Sequence, residues 1–598
     1  MLDNFEQVMD AAAAVGELLA AAPRVQVLAT SRVPLHVYGE YEYPVPPMEV
    51  PHPQLLARSK GGGPSLEQLA GADAVSLFVH CAQRAQHDFA LDEGNAPAVV
   101  EICARLDGLP LAIELAAARV KLFSPSAMLA HLGGARGPPP GPSPLHFLTG
   151  GPRNAPARQR TLRAAIEWSD SLLDANEQRL FRRLSVFAGG FTLQAVEAVC
   201  VDPVASVPRP SPLDLLESLL DQSLLLEVSH SSPPRFTMLE TVREYAWERL
   251  QESGEAETVR DRHTDHFCGA LHAWGADLKG SRQLEALHEI EVDLDNVRAA
   301  WEWAVGAHEH VREDAQADWQ DRALDGLCLF YEWRGRYEEG KTACQKVVDR
   351  WTARRPAVDD LEEPGLDLAS APESAPVETG YSGPAPQDTP PESPGLPEDD
   401  VRLRVMARAL AWQSRLNRTL GQLEFADRCF ARALALLGQH ASSGHDAQRA
   451  FVLLCMAERA SETDLEKARR LAERSLALYR ALGDQWGMAR ALLHLGSVAN
   501  LLGEYGEMSK LLQEGLALSQ KLGDPRGSLW SLLGLGFSAV HIGQLEEGER
   551  LARQAIADAR GLGDMELVRS AAIVLSTALH DRGRFAEARA VREEDLII

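Results

Sequence analysis

The sequence predicts a mostly α-helical protein. A short α/β segment and a helical stretch lead into a winged helix, and an α-solenoid of paired-helix repeats follows. Three observations carry this. Ala, Leu, Arg and Glu dominate while aromatic residues make up only 6%, a composition that favours helix. A 40-residue self-similarity runs through the last third of the chain, as in stacked repeats. Finally, the apolar runs Leu224-Leu225-Leu226-Glu227-Val228 and Arg235-Phe236-Thr237-Met238-Leu239 flank Ser and Pro residues, the pattern of a β-hairpin wing.

At 598 residues the chain is too long for one hydrophobic core. Its net charge of −26 argues against a large nucleic-acid footprint. No run of about 18 apolar residues is present to span a membrane, and the N-terminus lacks the charged and apolar regions of a signal peptide. The eight cysteines are scattered without a C-x-x-C pair, which reads as buried thiols in a reducing, cytoplasmic setting.

Residues 1–65 read as α/β. Residues 66–132 read as helical, with apolar periodicity at Ala74-Val75-Ser76-Leu77-Phe78-Val79 and from Val99 to Val120. Residues 133–157 are rich in Gly and Pro and read as a hinge loop. Residues 158–250 hold helices and the hairpin, so they read as the winged helix, and residues 251–355 read as helical and repeat-like. Residues 356–400 contain ten Pro and twelve Asp or Glu with no Lys or Arg. Such a segment repels itself and has little to bury, so a disordered acidic linker is expected.

Residues 401–598 carry the repeats. Leu-Gly-Asp recurs at 482–484, 522–524 and 562–564. Gly503-Glu504-Tyr505, Gly543-Gln544-Leu545 and Gly583-Arg584-Phe585 keep the same step, as do Leu495-Gly496 and Leu535-Gly536. Gly421-Gln422-Leu423 and Thr463-Asp464-Leu465 are looser copies. Each unit is a helix, a tight turn, a second helix and an exit turn. The pattern resembles tetratricopeptide repeats with a lengthened period. One helix pair cannot bury its apolar face alone, so the units must stack.

A formal phosphate-loop match occurs at Gly335-Arg336-Tyr337-Glu338-Glu339-Gly340-Lys341-Thr342. Such a loop needs a strand before it, whereas Phe330 to Arg334 continue a helical pattern. The same Gly-x-apolar-Glu-Glu-Gly order stands at Gly543 to Gly548. Residues 335–342 therefore read as a helix–helix turn of an earlier repeat.

The ordered motifs resemble STAND-class signalling ATPases, more narrowly NB-ARC-like bacterial regulators of the LuxR-family or ATPase/tetratricopeptide kind. Leu2-Asp3-Asn4-Phe5-Glu6-Gln7 is similar to that family's Walker B segment, and Ala29-Thr30-Ser31-Arg32 to its sensor strand. Tyr43 to Met48 is similar to the loop after that strand. Gly108-Leu109-Pro110-Leu111-Ala112 resembles the motif lining the adenine pocket. Thr161 to Ser169, Phe187-Ala188-Gly189-Gly190-Phe191 and Met238 to Ala246 resemble parts of the winged-helix domain. The family's Walker A strand and loop, and most of the Walker B strand, are not in this sequence, which implies an N-terminally truncated member with a P-loop NTPase remnant. Met238-Leu239-Glu240 departs from the family's Met-His-Asp, and Leu239 cannot make the histidine's polar contact.

The resemblance implies ATP or ADP and Mg²⁺ as cofactors of an intact relative, and none for this chain alone. Asp3 would hold the Mg²⁺ shell through water; its other reading is a helix N-cap. Asn4 sits where a second acid often stands, and an amide is a poor general base. Arg32 would meet the γ-phosphate, or is a surface arginine. Gly108, Leu109, Pro110 and Leu111 would line the adenine, a role compatible with Pro110 as a helix-start proline. No catalytic residue is assigned. His263, His266, Cys268 and His272 have helical spacing that could seed a metal site, against the simpler reading of a partly exposed helix.

The expected function is that of a signal-transducing, transcription-regulatory ATPase fragment whose solenoid senses a protein or small-molecule inducer, with self-association as an output and no direct DNA contact or membrane span. The alternative is a nucleotide-independent tetratricopeptide adaptor, and a third reading, a transcription factor contacting DNA through 158–250, would need a basic surface on the second helix of that domain.

Overall fold

The computed structural model describes residues 1–2, 5, 8–22, 24–31, 34–43, 45–51, 65–132, 162–202, 210–228, 233–308, 310–352, 398–439 and 445–595. The expected hinge at 133–157 and nearly all of the acidic tract at 356–400 lie outside these residues. The chain forms two compact units, Met1–His266 with Asp293–Ala300, and Phe267–Val292 with Trp301–Ile598.

In the first unit the only extended pairing among the described residues of 1–65 is a parallel bridge, Leu2 to Ala29. Leu2 N–H donates to Leu28 O at 2.8 Å and Thr30 N–H to Leu2 O at 2.9 Å. Helix α1 (Ala12–Ala21) lies between the two bridged segments in sequence, and Phe5, Ala12 and Val15 form a small core with Leu2, Val27 and Ala29. A parallel pair joined through a helix is the βαβ arrangement.

Five helices follow, α2 (Leu66–Ala70), α3 (Asp73–Ala85), α4 (Ala96–Arg105), α5 (Pro110–Ala117) and α6 (Pro125–His131). Ser65 and Gln68 form a capping box at the first, and Pro110 and Pro125 occupy first-turn positions where the missing N–H costs nothing. Phe78, Val99, Ile102, Ile113 and Met128 are fully buried between them.

The winged helix comprises α7 (Leu162–Ser171), α8 (Ala175–Leu184), β1 (Phe191–Thr192), α9 (Leu193–Cys200), α10 (Pro212–Asp221), β2 (Leu226–Val228), β3 (Arg235–Thr237) and α11 (Glu240–Glu252). The strands are antiparallel in the order β1-β3-β2, with Phe236 opposite both Phe191 and Glu227. The hairpin thus stands where the two apolar runs placed it. Asp174 and Glu177 close a capping box on α8. Phe181, Phe187, Phe191 and Tyr245 are all buried in the core, and the Phe187 and Phe191 rings stack at 4.8 Å.

Helices α12 (Ala256–Asp277) and α14 (Leu294–Val305) have residues in both units, and α13 (Gln283–Val292) belongs to the second. The second unit continues as helix pairs: α15 (Glu313–Trp333) with α16 (Tyr337–Thr352), α17 (Glu398–Thr419) with α18 (Leu423–Gln439), and α19 (Asp446–Ala460) with α20 (Leu465–Leu482). Then come α21 (Gln485–Leu501) with α22 (Tyr505–Leu522), α23 (Pro525–His541) with α24 (Leu545–Leu562), and α25 (Met565–Asp581) with α26 (Phe585–Asp595).

The Leu-Gly-Asp signature has a direct physical cause. The Leu is the last helical residue. Gly483, Gly523 and Gly563 have φ of 70°, 70° and 68°, a left-handed conformation that glycine adopts without steric cost. Each Asp then caps the next helix, accepting from the N–H of Gly487 at 2.9 Å, Gly527 at 3.0 Å and Leu567 at 3.1 Å. The Leu495-Gly496 repeat marks a close helix crossing, because a Cβ at Gly496 would come 2.8 Å from Leu512 Cδ2.

The helix pairs begin upstream of 401, with α15 and α16 inside the region read as repeat-like. Helix α17 packs on α15: Arg408 donates to Asp321 O at 2.6 Å, Trp412 Nε1 to Asp325 Oδ1 at 2.9 Å, and Arg415 Nε to Glu332 Oε1 at 2.5 Å. Gly335, with φ of 66°, is the turn of this earlier pair, as Gly421, Gly503, Gly543 and Gly583 are of later ones.

Candidate functional site

Of the sequence-derived site residues, Asp3, Asn4 and Arg32 lie outside the described residues. Gly108, Leu109, Pro110 and Leu111 form the turn that opens α5. Asp107 and Gly108 both have positive φ, 53° and 66°. Gly108 is required on a second count. Its carbonyl accepts from Met48 N–H at 3.0 Å, and a Cβ there would sit 2.2 Å from Met48 O. Pro110 is exposed, and Leu109 and Leu111 are half-buried.

Asp107, which the motif reading did not single out, ties this turn to the winged helix. Its Oδ2 accepts from the backbone N–H of Glu240 at 2.7 Å, and more weakly from Thr241 at 3.5 Å. The start of α11 is therefore capped from outside its own segment, since Leu239 offers no side-chain cap. The dipeptide Asp107-Gly108 is a turn signal in sequence, but nothing in the sequence says which helix its carboxylate reaches.

One turn into α11 the chemistry is unusual. Glu244 is buried, and its Oε2 has no hydrogen-bond partner among the described residues, nor has the buried Thr241 Oγ1. Burial, reinforced by the Glu240 carboxylate, pushes the Glu244 carboxyl up to about 8; Arg243 opposes this. Arg243 spends its own charge on Glu240 at 2.5 Å. Burial thus favours the neutral acid at Glu244 near pH 7, one turn into the helix that Asp107 caps.

The Phe187-Ala188-Gly189-Gly190-Phe191 motif serves a second node. Asn296 Oδ1 accepts from Ala188 N–H at 2.9 Å, and Asn296 Nδ2 donates to Gly190 O at 2.9 Å. Arg235 on β3 donates to Gly190 O at 2.8 Å and pairs with Asp293 at 2.5 Å. His263 lies in this node, its Nε2 3.5 Å from Asn296 Oδ1. Burial takes its imidazole down to about 3, with the Asn296 contact working against that. His263 is therefore a packed neutral ring. No group of three or more metal-ligating side chains is assembled among the described residues.

The formal phosphate-loop match is a turn between two helices, α15 and α16. Lys341 lies in the first turns of α16 and pairs with Glu338 at 2.9 Å. In the winged helix, α10 precedes the wing, which is the position of a groove-reading helix in DNA-binding relatives of this fold. Its sequence, Pro212 to Asp221, holds Asp214, Glu217 and Asp221 and no Lys or Arg. Among the described residues no helix is long and apolar enough to cross a membrane.

Comparison with known proteins agrees on the central domain. A winged helix-turn-helix domain family matches residues 173–251. A protein of Mycobacterium tuberculosis (strain ATCC 25618 / H37Rv) named "Putative HTH-type transcriptional regulator" is 40% identical over 305 residues, 51% of this chain and 31% of its own length. An uncharacterized protein of the same strain is 35% identical over 268 residues, 45% of this chain and 61% of its own. The chain thus spans about a third of the first relative and three fifths of the second. Among solved structures, a STAND protein with a tetratricopeptide repeat sensor from Pyrococcus horikoshii is similar at 13% identity with a TM-score of 0.39, over 87% of this chain and 66% of that one. A Rap protein complexed with Competence and Sporulation Factor is similar at 9% identity with a TM-score of 0.36, over 56% and 76%. The chain carries a winged helix-turn-helix domain and is related in sequence to proteins named as transcriptional regulators.

Proposed function

We propose that this chain is the regulatory part of a STAND-type ATPase, in which the winged helix is an internal joint and the helix-pair array senses a protein or small-molecule inducer. The observation that carries this reading is the Asp107–Glu240 contact. It links the adenine-pocket motif at Gly108–Leu111 to the Met238-Leu239-Glu240 segment, the two places where the family resemblance puts nucleotide contacts. A nucleotide at Gly108–Leu111 would then bias the joint, and an inducer on the array would bias the same equilibrium. Asp3, Asn4 and Arg32 are the residues proposed to face Mg²⁺ and phosphate in an intact domain, with self-association as the output. Lys341 is not among them.

The winged helix is proposed as a joint because α10 is acidic. Phosphate contact needs cations, and three carboxylates on the groove-reading helix oppose it. The experiment is hydrogen exchange with and without Mg²⁺ and ADP, beside calorimetry, on these residues joined to a Walker A strand and loop ahead of Asp3. Joint protection of Gly108–Leu111 and Glu240–Thr241 is the expected result. Exchange indifferent to nucleotide at both sites, with a partner still bound by the array, would favour the adaptor reading.

A further inference from the structure

The three Leu-Gly-Asp turns lie along the array in successive repeats, and a segment from much earlier in the chain is seated on them. Lys279 Nζ stands 4.9 Å from the ring centre of Trp486, two residues past the first turn. At the second turn, Gly523 faces Ser281 so closely that a Cβ there would come 3.0 Å from the Ser281 Cβ. Gln283 Nε2 donates to Asp524 Oδ1 at 3.1 Å, across 241 residues of sequence, and to Leu278 O at 2.7 Å. At the third turn, Leu284 and Leu287 face Leu562, Asp564 and Met565 across a cleft of about 240 Å³. Lys279, Gln283 and Leu287 are each four residues apart, so a basic group, an amide and a leucine meet the three turns in order.

The three equivalent aspartates show what the seated segment does. Asp484 is exposed. Asp564 pairs with Arg526. Asp524 is buried, only 5% exposed, with the Gln283 amide on its second lone pair. Burial raises the Asp524 carboxyl, while the Gly527 N–H and Gln283 hold it back. The basic end is matched electrostatically, because the Asp325 carboxylate attracts Lys279 after Arg408. The apolar end is filled poorly. Leu284 and Met565 remain 42% and 39% exposed beside the open cleft, which Trp333 and Tyr337 also line.

We propose that this row of turns is a docking surface for a segment of a partner protein bearing a basic residue in a turn, then an amide and a leucine on the helix that follows, and that residues 279–287 hold it in cis until the partner displaces them. This deepens the sensor reading of the array and rests on it. The partner's chemistry is read from the segment already seated, and the open cleft at the leucine end, lined by Trp333 and Tyr337 and by the charged Glu332, Arg334, Arg526 and Asp564, is where a larger side chain with a polar edge would bind better than the cis leucine does.

The test uses the full chain and a labelled synthetic peptide of residues 277–292. Weakening the cis segment with Lys279→Ala and Gln283→Ala should tighten peptide binding by about tenfold or more, because a competitor is removed. Adding Trp486→Leu should take most of that gain away. Hydrogen exchange at 278–287 should rise in the double variant, while α21 to α25 stay protected. Peptide binding that is absent from both chains, or equal in both, would overturn the proposal. So would loss of helical circular dichroism in the double variant, which would make the segment a fixed part of the array. No nucleotide is present in these measurements, so their failure leaves the nucleotide-dependent joint to be judged by its own experiment.

Discussion

Asp107 and Glu240 are 133 residues apart in the chain, and the Asp107 carboxylate accepts the Glu240 backbone N–H at 2.7 Å. A helix terminus leaves its first N–H groups without partners, and here one is satisfied by a residue that itself adopts φ of 53°. Asn and Asp tolerate that conformation better than other side chains. Substitutions at 107 should therefore separate two effects. Asp107→Asn should cost least. Asp107→Gly relieves the backbone but loses the cap, about 1 kcal/mol. Asp107→Ala loses the cap and adds about another 1 kcal/mol of strain. Exchange rates of the first-turn amides of α11 should rise in that order.

Glu244 predicts an inverted pH dependence. Its folded pKa of about 8 lies above its ordinary value of 4.5. Its contribution is fully present below about 4.5 and is lost as pH rises through 8, because only the unfolded chain gains the free carboxylate in that window. Glu244→Gln keeps the shape and removes the charge. It should raise the unfolding temperature at pH 8, leave it nearly unchanged at pH 4.5, and flatten the profile between. Equal shifts at both pH values would refute the assignment.

Glu458 predicts the opposite sign. Arg415 donates to it at 2.6 and 2.7 Å while also holding Glu332 at 2.5 Å. Burial alone would raise the Glu458 carboxyl, but Arg415 and Arg490 hold it at about 2. Its stabilisation is present above about 4.5 and is lost as pH falls toward 2. Breaking a buried pair leaves an uncompensated charge, so Glu458→Ala should cost ~3 kcal/mol near pH 7. The cost should shrink on acidification, measured by urea denaturation followed by far-ultraviolet circular dichroism.

Lys341→Ala should leave any ATP or ADP affinity unchanged in calorimetry. Lys341 sits in a helix, paired with Glu338 and 3.3 Å from Gln422 Oε1. The amides of Gly335, Arg336 and Gly340 donate to the carbonyls of Glu332, Tyr331 and Arg336, which takes them out of the N–H cradle that phosphate loops need. Tight binding abolished by this change would overturn the turn assignment.

The repeats and the wing were legible because their signals are local. Glycine at positive φ followed by an aspartate cap repeats every 40 residues and needs no knowledge of the partner helix. The Phe187–Phe191 motif was visible, but its partner Asn296 was not, because a hydrogen bond spanning 108 residues leaves no periodicity. The same holds for Asp107 and for Gln283 on Asp524. Glu244 was hidden for another reason: in sequence it is one more glutamate on a helix rich in charge. The formal loop at 335–342 was resolved by comparison with Gly543–Gly548, since identical turn chemistry outweighs a motif without its strand.

The contact between α16 and α17 carries a further consequence. One helix ends at Thr352 and the next begins at Glu398, yet side chains fasten α15 and α16 to the helices that follow. Thr352 Oγ1 accepts from Arg432 at 2.6 Å, the Arg402 guanidinium lies 5.4 Å from the Trp351 ring centre, and Arg415 bridges Glu332 to Glu458. These attachments run through side chains and need no peptide bond between 352 and 398. A chain ending at Thr352 and another starting at Glu398 carry matched charged faces, so a molecule nicked between them should migrate as one particle until acid or denaturant parts it.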